Sequence, residues 1–124
     1  MEVVATEHAP AAVGPYVQAY KCNGMLYCSG QIGLNPKTMQ FADETVEGQA
    51  KQVFANLREV LKAAGTTMQK VVKTTCMLKN IGDFATFNAI YEKEFEGHKP
   101  ARSCYEVSAL PKGALVEVEL IALL

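Results

Sequence analysis

Leu115-Val116-Glu117-Val118-Glu119-Leu120-Ile121-Ala122-Leu123 reads as a strand with two unlike faces. Alternation puts Val116, Val118 and Leu120 on one side and Glu117 and Glu119 on the other. The apolar side needs a cover, and two earlier segments can supply it. Between Thr45 and Gly65, the residues Val46, Ala50, Val53, Phe54, Leu57, Val60, Leu61 and Ala64 recur at helical spacing. Thr45 fits the N-cap of that helix and Gly65 its C′ position. Asp83 opens a second helix, Phe84, Phe87, Ile90, Tyr91 and Phe95 form its apolar stripe, and Gly97 ends it. These aromatics read as core rather than as a cofactor box.

The remaining strands follow from alternation and turn chemistry. Val3-Val4-Ala5 is a short first strand. Val17 to Lys21 and Met25 to Ser29 flank Asn23-Gly24, the dipeptide suited to a type I′ hairpin turn. Gly30 to Asp43 is a polar connection. Val71 to Leu78 is rich in β-branched residues and predicts a strand. Arg102 to Val107 predicts another, and Leu110-Pro111-Lys112-Gly113 a turn. The order is β-β-β-α-β-α-β-β. The expected fold is α+β: one domain over residues 1–124, with two helices on one face of a single mixed sheet of about six strands. On this reading Arg102, Cys104, Glu117 and Glu119 share the opposite face, a surface of mixed polarity suited to a subunit interface.

Bulk properties exclude several functions. With a net charge of −1 and no run of lysines or arginines, the chain lacks the footprint of a nucleic-acid groove or an anionic membrane patch. It has no apolar run near the roughly 20 residues of a membrane span. The first residues do not form a secretory signal. Cys22, Cys28, Cys76 and Cys104 have no CxxC spacing and read as the reduced thiols of an intracellular protein, with Cys28 close to Gly30. His8 and His98 have no ligand partner at metal spacing, so no metal site is expected. GxGxxG, Walker A, HExxH and GxSxG motifs are all missing. Any chemistry must use Arg, Glu, Tyr, Ser, Cys and backbone groups.

Pro100-Ala101-Arg102-Ser103-Cys104-Tyr105-Glu106-Val107 supplies the strongest functional hint. Arg102, Cys104 and Glu106 alternate against Ser103, Tyr105 and Val107. A guanidinium at a strand start is a permanent cation whose fork of donors fits a carboxylate bidentately. That suggests a pocket for a small organic acid, although a surface arginine would read the same way.

Four segments carry a family resemblance: Gly14-Pro15-Tyr16, Ser29-Gly30-Gln31, Asn88 within Phe84 to Tyr91, and Pro100 to Cys104. Together with Glu117-Val118-Glu119, in order over the whole chain, they resemble the RidA (YjgF) family of reactive-intermediate deaminases. One departure is visible. The loop Phe95 to Pro100 is short, and Lys99 precedes the proline where the family commonly has an aromatic, which implies a different pocket rim.

The resemblance implies a homotrimer of chorismate-mutase-like subunits with pockets in the clefts between them. It implies hydrolysis of enamines and imines released by pyridoxal-phosphate enzymes. Such substrates are 2-aminoacrylate with its tautomer 2-iminopropanoate, and 2-iminobutanoate, yielding 2-oxo acids and ammonium. It implies no cofactor and no metal in the protein, and a cytoplasmic or organellar location. Arg102 would hold the substrate carboxylate and Glu117 would activate water. Tyr16 would close the pocket, Ser29 and Gly30 would allow close backbone approach, and Asn88 would point toward a neighbour. Cys104 reads as a pocket-wall thiol, because no histidine base is near, with Arg102 lowering its pKa. Two other readings share these residues. One is a non-catalytic module that senses 2-oxo acids. The other is an RNA-acting translation inhibitor, an activity ascribed to some relatives, which the near-neutral charge argues against.

Overall fold

A computed structural model describes all residues 1–124. It contains β1 (Glu2–Val4), β2 (Ala19–Cys22), β3 (Met25–Gln31), α1 (Val46–Ala64), β4 (Val71–Leu78), α2 (Phe84–Phe95), β5 (Ala101–Glu106) and β6 (Val116–Leu123). The order is the expected one. The turn between β2 and β3 has positive φ at both Asn23 (52°) and Gly24 (76°), as a type I′ turn requires. Thr45 caps α1, its hydroxyl accepting from the Gly48 N–H at 3.1 Å, and Gly65 ends it in the left-handed region at φ 85°. Asp83 stands before α2 but makes no side-chain cap, because a short 3-10 turn over Ile81–Asp83 leads into the helix.

One six-stranded sheet runs in the order β1-β2-β3-β6-β4-β5. β4 and β5 are parallel, joined by α2 as a crossover, and every other pair is antiparallel. The terminal strand thus lies in the middle of the sheet, between β3 and β4. Both helices cover one face. There Val116, Val118, Leu120, Cys76, Leu78 and Leu26 are buried against α1 and α2. The centre of this core is aromatic: Phe54 of α1 packs on Phe87, Tyr91 and Phe95 of α2, with ring centroids 5.8–6.2 Å apart.

Register corrects one expectation. Directly opposed residues of neighbouring strands point to the same face. Thr74 of β4 is opposite Arg102 on one side and Leu120 on the other, and Cys76 is opposite both Cys104 and Val118. Arg102 and Cys104 therefore lie on the helix-covered face. Met77 is opposite both Glu117 and Tyr105, so Glu117, with Glu119, lies on the open face. The four residues do not share a face. Alternation fixes parity within a strand, but the pairing of strands far apart in sequence decides which parity meets the helices. The open face carries Tyr27 and Tyr105, both 47% exposed, and Leu123, 50% exposed.

Buried amides on α1 hold the long connection after β3. Asn56 donates to the carbonyls of Leu34 and Ile32, at 3.0 and 3.3 Å. Gln49 donates to the Asp43 carbonyl at 3.1 Å and accepts the Leu115 N–H at 2.9 Å. One helix face thereby positions both the loop and the start of the strand that bears Glu117. Gln18 does the same for the N-terminal segment, bonding Thr6 and the Pro10 carbonyl.

Candidate functional site

The expected site residues fall into two groups on opposite sides of the sheet. The first lines a cavity of about 620 Å³ that includes Tyr16, Ser29, Gly30, Lys112, Glu117 and Glu119. Its wall begins at a bulge. Cys28 pairs with Leu120 but Gln31 with Val118, so β3 carries one extra residue at Ser29-Gly30. The bulge turns the Ser29 hydroxyl toward the Val17 carbonyl, at 2.5 Å. Gly30 is there for space: an added Cβ would fall on the Glu117 carboxylate, with its Cδ only 2.9 Å away. The close approach anticipated at this glycine is made by Glu117 itself.

Tyr16 stands at the cavity mouth, half exposed, after a tight turn in which its N–H donates to the Gly14 carbonyl at 2.9 Å. Gly14 has φ 136°, which favours glycine. Glu117 is half-buried and its pKa is raised, first by loss of solvent and second by the nearby Glu119 carboxylate. A carboxylate with raised pKa in a cavity is suited to taking and returning a proton. Among the lining residues that sequence reading missed are Met39 and Lys112. Both hold left-handed backbone at φ 57° and 58°, a strained state for non-glycine residues. For Lys112 the Leu110 to Gly113 turn was the available signal.

The second group surrounds a cavity of about 420 Å³ whose lining includes Asn88, Tyr91, Glu92, His98, Lys99 and Arg102, with Glu92 beyond ion-pair distance of the guanidinium. Asn88, expected to point toward a neighbour, turns instead to its own chain and accepts a hydrogen bond from Arg102 Nη1 at 2.7 Å. The guanidinium carbon lies 4.7 Å from the Tyr91 ring centroid and 5.4 Å from that of Phe84. Arg102 takes part in none of the three ion pairs of the chain. Periodicity assigns Phe84 and Tyr91 to the core stripe; Tyr91 is buried there and also faces the guanidinium, whereas Phe84, on the first turn of α2, lies outside the core, exposed, with its ring against the guanidinium instead. His98 is tied through Nε2 to the Val71 carbonyl at 2.7 Å.

Cys104 sits beside this group, half-buried, next to Cys76 across the strand pair. The sequence suggests that Arg102 lowers its pKa. Burial outweighs the arginine, and the thiol is raised above its ordinary value. Cys76 is pushed up to about 12, chiefly by burial. Neither is a poised thiolate. All four cysteines are free, and no cluster of His, Cys, Asp and Glu has metal-site geometry.

In one chain the cation and the basic carboxylate thus occupy separate cavities and point to opposite faces of the sheet. A ligand gripped by Arg102 does not share a cavity with Glu117 of the same chain.

Comparison with known proteins sets these features in a family. Residues 6–124 match the family model described as Endoribonuclease L-PSP. A protein of Arabidopsis thaliana described as Reactive Intermediate Deaminase A, chloroplastic, is 53% identical over 99% of this chain, which spans 66% of that protein's length. A protein of Mus musculus described as 2-iminobutanoate/2-iminopropanoate deaminase is 49% identical over 98% of this chain and 90% of its own. The crystal structure of the YjgF gene product from E. coli superposes with a TM-score of 0.95 at 45% identity, covering 99% of this chain and 98% of that one. Matched along nearly its whole length in sequence and in fold, the chain belongs to the RidA (YjgF) family, which also carries the description Endoribonuclease L-PSP.

Proposed function

We propose that this protein is a 2-iminobutanoate/2-iminopropanoate deaminase, a single RidA-like domain acting as a homotrimer with each active site shared between two copies. The observation that carries the reading is a separation. An arginine without a carboxylate partner and a glutamate of raised pKa lie in different cavities on opposite sheet faces. Bringing them together takes a second chain. Closed cyclic assembly would also bury Tyr27, Tyr105 and Leu123 on the open face without leaving free ends.

In this reading Arg102 of one copy grips the substrate carboxylate and fixes the imine carbon beside the other copy's Glu117. Ionised Glu117 takes a proton from water as the oxygen adds to the carbon of the protonated imine, giving a neutral carbinolamine. Glu117 then returns that proton to the nitrogen; as the C–N bond breaks, the carbinolamine hydroxyl proton passes back to Glu117 and on to the departing ammonia, leaving the 2-oxo acid, ammonium and an ionised Glu117. Tyr16 closes the cavity, the Ser29-Gly30 bulge shapes its wall, Asn88 holds Arg102, and Cys104 lines the arginine side. The residues alone supply this chemistry, with no cofactor or metal. Free thiols fit a reducing compartment, the cytoplasm first. The description chloroplastic of the Arabidopsis relative suits an organelle equally. No helix is long and apolar enough to cross a membrane. Two glutamates against one lysine in the larger cavity, with a net charge of −1, disfavour an RNA backbone there.

A coupled assay tests the activity. A serine or threonine dehydratase generates the imine, semicarbazide competes for it, and loss of semicarbazone reports hydrolysis. Hydrolysis above the uncatalysed rate is expected; 2-oxo-acid binding without any acceleration would leave only a sensing module. A second expectation concerns Gly30. Gly30→Ala should push the Glu117 carboxylate aside and lower kcat by about 10- to 100-fold, because a displacement near 1 Å is enough for such losses. The melting temperature should change little, since a side-chain end, not backbone, must move. Unchanged kcat in folded Gly30→Ala protein would remove Glu117 from the mechanism.

A further inference from the structure

The guanidinium of Arg102 is held entirely by uncharged groups. Phe84, Asn88 and Tyr91 recur at i, i+4 and i+7 on α2 and so form one stripe. The two rings lie within cation–π distance of the guanidinium and the amide oxygen between them takes Nη1. The Nε and Nη2 donors make no hydrogen bond within the chain, and no carboxylate lies within ion-pair distance. A second link closes a loop through the sheet. The Tyr91 hydroxyl is 2.7 Å from the hydroxyl of Thr74, which is fully buried. Thr74 is also the residue directly opposite Arg102 in the parallel β4–β5 pair. Strand, helix and neighbouring strand are thus fastened in a ring of contacts from Thr74 to Tyr91 to Arg102 and back.

We propose that Tyr91 and Thr74 are positioning residues for Arg102: the Thr74 hydroxyl fixes the Tyr91 ring, the ring carries the guanidinium, and the neutral cradle leaves its charge and free donor edge to the carboxylate of a 2-oxo or 2-imino acid. The proposal rests on the deaminase reading for its substrate class. The physical reason for a neutral cradle is competition. A glutamate or aspartate beside Arg102 would hold it equally still, but would take the fork that the ligand needs. Aromatic faces orient the cation without using its in-plane N–H groups, and an amide oxygen takes one donor without a full charge. Holding the side chain in place also lowers the ordering cost on binding.

The test uses the full protein and two readouts: dissociation of pyruvate, followed by NMR line broadening, and the split of kcat and KM in imine hydrolysis. Tyr91→Leu should raise the pyruvate Kd and KM about 10-fold with kcat largely kept, the size of a partly desolvated cation–π contact. Tyr91→Phe keeps the ring and should recover most of that loss. Thr74→Val should match Tyr91→Phe, and the double variant should be no worse than either, because both remove one bond. Asn88→Asp keeps the shape but supplies an internal counter-ion; pyruvate binding should fall by about 50-fold or more at an unchanged or higher melting temperature. Should Tyr91→Leu fail to fold, Tyr91→Phe, Thr74→Val and Asn88→Asp still decide the matter. Wild-type affinity in Asn88→Asp, or additive losses in the double variant, overturns the proposal, as does a native protein that binds no pyruvate. If the native protein binds pyruvate but hydrolyses no imine, and the variants weaken binding as stated, the cradle stands and the deaminase reading falls. If hydrolysis is present but Kd and KM are indifferent to these variants, the reverse holds.

Discussion

Arg102→Ala is expected to lower kcat/KM for 2-iminopropanoate by about 30- to 1000-fold, or about 2–4 kcal/mol of transition-state stabilisation. The reason is the state of this arginine in the fold. No carboxylate of the chain neutralises it, so its charge is available to a ligand. Arg102→Lys should recover little, because an ammonium cannot reproduce the planar grip or rest on the two ring faces in the same way. The fold should survive both changes, since Arg102 is half-buried on an edge strand and the core aromatic cluster does not depend on it. Circular dichroism and the coupled assay together measure this. Activity within a few-fold of the native protein would remove the carboxylate clamp.

Glu117→Gln is the second large effect. It should slow turnover by about 10²- to 10⁴-fold while pyruvate binding is kept, because the amide preserves shape and loses the base. The pH dependence of kcat should report the same group. Glu117 must be ionised to accept the water proton, so activity falls as pH drops through its pKa. Burial and Glu119 raise that pKa, which places the acid limb above the ordinary 4.5 of a glutamate. Substrate occupies Arg102 in the state that kcat reports, so the arginine's charge is already engaged. Glu119→Gln should move the limb down without restoring the ordinary value, since burial is the larger cause. Cys104→Ser should be milder than either substitution at Arg102 or Glu117. Its thiol is raised in pKa and has no base, so a larger loss there than in Arg102→Ala would reopen the case for a thiol nucleophile.

Much of the architecture was legible because it is local. Asn23-Gly24 specifies its turn by the φ values it tolerates, and the α1 stripe from Val46 to Ala64 specifies a helix with one buried side. The position of β6 between β3 and β4 was not legible, since no local period encodes pairing between strands distant in sequence. The misplaced common face of Arg102 and Glu117 follows from that. The sequence favoured an outward Arg102 because helix-covered faces are usually apolar. The fold instead admits the cation by giving it two ring faces and an amide from α2. Tyr91 was hidden by its double use, since an aromatic that packs in a core and one that also carries a cation have the same periodicity, and Phe84 continues that stripe past the core onto the exposed first turn of α2. Gln49 and Asn56 carried no signal of their role either, because a buried amide that ties down a loop looks like any polar helix residue.

Subunit mixing tests the shared site most directly. Arg102→Ala and Glu117→Gln proteins are each purified, unfolded together in equal amounts and refolded. If each site takes Arg102 from one copy and Glu117 from the next, every mixed ring contains one junction with both residues intact. About three quarters of random trimers are mixed with one intact junction in three, so about one quarter of native activity should return. Mixed assemblies verified by mass that show no more activity than the two parents would contradict a site built across copies.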